Sequence, residues 1–165
     1  MGEYASAMSQ QERTDGDLRN TGLSLKHDRT WDYELDRIVE AVEERGAEKV
    51  GLQFPEGLKR RGPAVTDDLR KALPDDVRVM MSGKPCYGAC DLDTYLMRRT
   101  DVFVHFGHSP MKESEKIIYV PLFSNVDVTP IMQEATEELD EDDVGLVTTA
   151  QHMNKFEEMR TWLEE

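Results

Sequence analysis

Cysteine occurs only twice in the 165 residues, at Cys86 and Cys90, too few for a disulfide framework. The amino terminus has no basic region followed by an apolar core, so the two thiols point to a cytoplasmic protein in a reducing compartment. Long apolar runs are missing as well. Nothing approaches the ~20 residues that a membrane-spanning helix requires. Basic residues are scarce: Lys and Arg number 20 against 34 Asp and Glu, for a formal charge of −14. A surface of that sign repels nucleic acid and anionic membranes. It suits a chain that stays in solution at high salt, where self-repulsion is screened, and a halophilic origin would account for it. An ordinary acidic soluble protein is the plainer reading. No Gly-x-Gly-x-x-Gly or Walker-type loop is present, which disfavours dinucleotide and P-loop chemistry. No Ser-His-Asp set can be assembled from chain order. Met1-Gly2-Glu3-Tyr4-Ala5-Ser6 formally fits a myristoylation pattern but reads better as chance within a polar tail.

What is present is periodic. Up to about Arg29 the chain is polar and aperiodic, which predicts a disordered tail over residues 1–30. From Trp31 onward the pattern is regular. Leu35, Ile38, Val39 and Val42 fall at helical spacing, with Gly46 as a stop. Residues 49–54 read as a short strand broken by Pro55 and Gly57. Pro63 suits the first turn of a helix that aligns Val65, Leu69, Ala72 and Leu73. Further strands are predicted over residues 77–81, 101–106, 117–120 and 144–148. Further helices are predicted over 91–99 and 155–163, with another capped by Thr129, with Pro130 at its first position, and ending near Leu139. Strands alternating with helices specify an α/β fold: a three-layer domain with a largely parallel sheet. A chain of this length buries one good core but rarely two.

Both cysteines lie in Cys86-Tyr87-Gly88-Ala89-Cys90-Asp91, between a predicted strand and a predicted helix. Open α/β sheets keep their ligands at such turns. A thiolate there is exposed and, near a helix N-terminus, easily ionised, which describes a metal or redox cysteine. The neighbouring strand ends in Val104-His105-Phe106-Gly107-His108-Ser109. His105, inside an apolar run, reads as a core histidine with satisfied hydrogen bonds, and His108, beside Gly107, as the one facing the pocket. Gln53, Glu56 and Gly57 occupy another strand end and could line the same crevice. Equally, Pro55 and Gly57 could simply shape a turn, with Glu56 solvated. Cys86, Cys90, His105 and His108 together could bind zinc, although cysteines spaced this way on a turn are not the tight knuckle of a zinc ribbon. By themselves these residues support a thiolate site at the mouth of an α/β sheet.

Gln53-Phe54-Pro55-Glu56-Gly57-Leu58, the cysteine run and the histidine run stand in the order and spacing of the archaeal diphthamide synthase family, the 2-(3-amino-3-carboxypropyl)histidine synthases. The chain resembles that family from about Asp32 to its carboxyl terminus. The resemblance implies the first of three similar α/β domains over residues 31–142, then the first strand and helix of a second over 143–165. A short echo between Val50-Gly51-Leu52 and Val144-Gly145-Leu146 agrees with such repetition. The family pattern has each domain give one cysteine to a 4Fe–4S cluster, leaving one iron open for S-adenosylmethionine. Matched to that pattern, the metal ligand here is Cys90, expected to share one crevice with Gln53 and His108, and Cys86 is an accessory thiol less well placed for a shared metal. The implied reaction moves the 3-amino-3-carboxypropyl group from S-adenosylmethionine to a histidine of translation elongation factor 2, with methylthioadenosine as by-product. The implied partners are elongation factor 2, an electron donor and a second copy of the chain in a homodimer. Cys90 alone would not hold a cluster, so a zinc-stabilised binding domain and an inactive remnant stand as alternatives. The resemblance names no other catalytic or substrate-binding side chain.

Overall fold

The computed structural model describes residues 30–140 and 143–164. The tail expected over residues 1–30, apart from Thr30, and the myristoylation pattern lie outside the described residues. Apolar periodicity sets the elements. Helix α1 (Leu35–Glu44) buries Leu35, Ile38 and Val42, one stripe at helical spacing. It stops before Gly46, whose φ of +56° is left-handed backbone that glycine adopts without steric cost. Strand β1 (Lys49–Gln53) leads into a 3₁₀ turn (Glu56–Arg61) and helix α2 (Gly62–Ala72). Strand β2 (Arg78–Met81), helix α3 (Thr94–Met97) and strands β3 (Val102–Phe106) and β4 (Ile117–Val120) follow. Helix α4 (Thr129–Glu138), a second 3₁₀ turn (Ala150–Lys155) and helix α5 (Phe156–Glu164) complete the described chain.

All four strands are parallel, in the order β2-β1-β3-β4. From β1 the chain steps to one side for β2 and to the other for β3. The order therefore reverses between β1 and β3, and beyond the carboxyl ends of such a pair α/β sheets form their ligand crevice. Alternation along the strands separates two faces. Val50, Leu52, Val102, Val104, Ile118 and Val120 share one core with α1 and α2. Phe54 and Phe106 stack there at 4.4 Å. Fully burying such a side chain contributes ~1.5–3 kcal/mol, so this face supplies most of the packing energy. The opposite face carries Gly51, Gln53, Phe103, His105 and Tyr119 in lateral register. Here α3 packs close: a Cβ on Gly51 would lie 3.0 Å from Phe103 and 3.1 Å from both Leu96 and Thr100.

Three local expectations give way, two to side-chain caps and one to the strand order. The helix expected over 91–99 is only Thr94–Met97, because Asp93 caps it: Oδ1 accepts the Tyr95 and Leu96 N–H groups at 3.2 and 3.1 Å. No open helix end is left to face a thiol. The helix expected at Thr129 is fixed from outside its first turn, where Asp127 Oδ1 accepts the Thr129 N–H at 3.0 Å. Residues 144–148 form no strand; β4 has no pairing partner on its outer side among the described residues, and Val147 is 91% exposed. A strand needs a neighbour to satisfy its N–H and C=O groups. Instead Leu146 joins Val128, Met132, Met159, Trp162 and Leu163 in a second small core between α4 and α5. That core draws residues from both sides of the boundary expected after residue 142. No helix among the described residues is long and apolar enough to cross a membrane.

Candidate metal centre

Sheet register builds a polar row on the second face. Gln53 pairs with His105, and His105 with Tyr119, so three strand-end side chains stand side by side. Gln53 and His105 are both fully buried. The Gln53 amide is held at both ends: Nε2 donates to the Asp91 carbonyl at 2.7 Å, and Oε1 accepts the Asp93 N–H at 3.1 Å. The same Oε1 lies 3.2 Å from His105 Nδ1. An amide oxygen only accepts, so Nδ1 carries the His105 proton and Nε2 keeps its lone pair. That nitrogen is 3.0 Å from His108 Nδ1, which in turn is 4.0 Å from Cys86 Sγ. Gly107 makes the reversal that returns His108 over His105. Its φ is +79°, and a Cβ there would sit 2.8 Å from the Pro55 ring. Tyr119 closes the row, edge-on to His105 at 5.7 Å and donating to the Lys112 carbonyl at 3.2 Å.

The cysteine turn orients its two thiols differently. Glu56 N–H donates to the Cys86 carbonyl at 2.8 Å, drawing Cys86 beneath the Pro55 loop, where it is fully buried. Asp91 clasps the other end: Oδ2 accepts the Tyr87 N–H at 2.8 Å and its own N–H donates to the Gly88 carbonyl at 3.0 Å. Cys90 consequently points outward, exposed, with Sγ 4.0 Å from Asp91 Oδ1. Cys86, not Cys90, meets the histidines, the reverse of the arrangement that the resemblance implies. The donor atoms of Cys86, His105 and His108 all lie within 4.8 Å of one another. Of the four residues in the zinc set, these three converge and Cys90 stands apart. Glu56 stays on the surface, paired with Lys59, whose Nζ donates to the Lys84 carbonyl at 2.7 Å.

Electrostatics follow burial. Desolvation, aided by the Asp91 charge, pushes the Cys86 thiol above its ordinary value, so the easy ionisation expected of a turn cysteine does not apply to it. Burial and the neighbouring His108 lower His105 to about 4, leaving it neutral at physiological pH. His108 is also lowered by burial, against the pull of Asp91 and the Tyr87 carbonyl. Burial raises Asp93, but the Ser82 hydroxyl at 2.7 Å, the Leu96 N–H and Lys84 outweigh it and hold the carboxyl below its usual range. A raised thiol beside two neutral imidazoles is poorly set up as a nucleophile–base pair. The same donors suit a borderline-soft cation. No motif marks Asp91 and Asp93 as positioning residues, although Asp93 just before a helical segment is an N-cap signature. A shallow hollow lined by Arg70, Pro74, Asp75, Val77, Arg78 and Val79 carries no thiol or imidazole.

Fold and site together define a parallel α/β domain with thiol and imidazole donors gathered at the sheet's switch point. The chain belongs to the diphthamide synthesis protein family, which matches residues 54–165. It is 31% identical over 133 residues to 2-(3-amino-3-carboxypropyl)histidine synthase of Pyrococcus horikoshii, covering 77% of this chain and 38% of that protein. Against subunit 1 of the human synthase it is 32% identical over 110 residues, covering 62% of this chain and 25% of the human one. Among solved structures, Dph2 from Pyrococcus horikoshii with a 4Fe-4S cluster superposes with a TM-score of 0.68 at 29% identity, covering 81% of this chain and 40% of that one. The chain therefore spans well under half the length of these relatives.

Proposed function

We propose that this chain supplies the first-domain portion of a 2-(3-amino-3-carboxypropyl)histidine synthase. The substrates would be S-adenosylmethionine and a histidine of translation elongation factor 2. The observation that carries this reading is the likeness, over most of the chain, to the structure of Pyrococcus horikoshii Dph2 with a 4Fe-4S cluster. On this reading residues 31–142 are the first α/β domain and residues 143–165 open the second. An electron donor and a second copy of the chain in a homodimer complete the working unit. The acid-rich surface belongs to a halophilic cytoplasm.

The residues suit the group. Cys90 is unbridged and exposed on a strand-end turn, and cysteine thiolates are the usual ligands of iron–sulfur clusters. Cys90 supplies one ligand, while Cys86, buried and turned toward the histidines, is not directed to the same place. The remaining thiolates come from further polypeptide. When bound, the cluster supplies the electron that cleaves the sulfonium carbon–sulfur bond. The chain's own contribution is positioning. Gln53 anchors the turn from below through Asp91 and Asp93, and the Asp91 carboxylate holds Cys90 outward.

The test compares this chain with a fusion that adds the remaining domains of the Pyrococcus relative. After anaerobic reconstitution with iron and sulfide, the fusion should show 4Fe–4S absorbance and release methylthioadenosine from S-adenosylmethionine. The chain alone should do neither. Cys90→Ser in the fusion should abolish both, because a serine oxygen is a harder, less readily ionised ligand. Full turnover in that variant would remove Cys90 from the proposal.

A further inference from the structure

Cys86, His105 and His108 are drawn together where the proposed cluster chemistry does not use them. We propose that these three residues form a site for a zinc-class divalent cation, separate from the Cys90 thiol, at the carboxyl ends of β1 and β3. Zinc binds thiolate at ~2.3 Å and imidazole at ~2.0 Å, so tetrahedral donors stand ~3.3 Å apart for two nitrogens and ~3.5 Å for nitrogen and sulfur. Here His105 Nε2 and His108 Nδ1 are 3.0 Å apart, and Cys86 Sγ is 4.0 Å from His108 Nδ1. Small side-chain rotations bring all three atoms onto one ion.

The surroundings are arranged as an outer shell. The Gln53 oxygen accepts a hydrogen bond from His105 Nδ1–H and so aims the Nε2 lone pair at the site, as backbone carbonyls do for metal-bound histidines. Gln53 is itself fixed by Asp91 and Asp93. The Asp91 carboxylate, held by the Tyr87 N–H, adds negative charge beside the three donors. A cation would take the place of the proton between the two imidazoles. His108 would then carry its proton on Nε2, and the Cys86 thiol would release its proton to solvent. Sulfur and nitrogen donors select zinc-class ions over magnesium or calcium. A water molecule takes the fourth position, on the half-exposed side of His108. The ion would staple the cysteine turn to the loop after β3, and this role holds whether or not Cys90 serves a cluster.

Cobalt(II) alone, titrated anaerobically into this chain, reads the site directly. One equivalent should give intense tetrahedral visible bands and a thiolate-to-metal charge-transfer band, both displaced by zinc. Cys90→Ser should keep both. Cys86→Ser should lose the charge-transfer band. His108→Gln, on a half-exposed loop that leaves the core intact, should weaken binding by at least the ~10–100-fold seen when an outer-shell partner is removed. Circular dichroism confirms that each variant is folded. The proposal is overturned if the wild type gives no tetrahedral spectrum, if the charge-transfer band survives Cys86→Ser or vanishes in Cys90→Ser, or if His108→Gln binds as tightly as the wild type.

Discussion

Four residues apart on one turn, Cys86 and Cys90 live in opposite surroundings, and simple chemistry separates them. Iodoacetamide should label Cys90 in the native protein and reach Cys86 only after denaturation. Peptide mass analysis reads the two sites independently, and equal native labelling would contradict the buried placement of Cys86. The histidines predict a pH dependence in metal-free protein. His105 stays neutral down to about 4 when folded, whereas an unfolded histidine takes up its proton near 6.5. Between those values the unfolded state binds more protons, so stability falls as pH drops from 6.5 toward 4, by at most ~3 kcal/mol, and this contribution is constant outside that window. Urea midpoints across the range should show the slope, and His105→Gln should reduce it to the share that the lowered His108 contributes. Cys86 acts at the other end. The folded thiol holds its proton above 9.0, where the unfolded one ionises, so stability should also decline as pH rises past 9.0.

At the scale of elements, close approach between β1 and α3 makes Gly51 a sensitive position. Gly51→Val should lower stability by ~1–3 kcal/mol through overpacking against Phe103, Leu96 and Thr100. Gly57→Ala, where a new Cβ meets nothing within 4 Å, should leave the melting temperature nearly unchanged. Equal losses in thermal melts of the two variants would argue against this packing. Such contacts also explain what the sequence made legible. The strands and long helices were readable because apolar spacing at periods of 2 and 3.6 records which face is buried. The end of α1 was readable because Gly46 takes a backbone conformation that other residues avoid. The late start of α3 had a signature in Asp93, but Asp91 stands there too, and only the folded side chains show which of the two caps the helix. The absence of a strand over 144–148 was equally hidden, because local propensity is silent about whether a partner strand is present. The motif spacing located the candidate site at the right end of the sheet. It could not tell which cysteine faces the histidines, because the Glu56–Cys86 and Tyr87–Asp91 hydrogen bonds that decide this join residues through tertiary folding and turn geometry. The row of Gln53, His105 and Tyr119 needed the strand order, which alternation along any one strand does not give.

For the whole molecule, a formal charge of −14 means that folding gathers like charges. The melting temperature should rise as sodium chloride increases and level off near 1 M, where the screening length is ~3 Å. A flat response would mean that the acidic side chains are already balanced by local pairing. The same folding also couples distant parts of the chain. Gln151, in the turn between α4 and α5, donates from its amide to the Gly107 carbonyl at 3.3 Å, and its own carbonyl accepts the Ser124 N–H at 2.7 Å. Gly107 is the residue immediately before His108. The carboxyl-terminal segment thus lies one hydrogen bond and one peptide unit from the His108 imidazole, as a mooring line lies between quay and hull. The loop that carries His108 is moored to a part of the chain more than 40 residues further on.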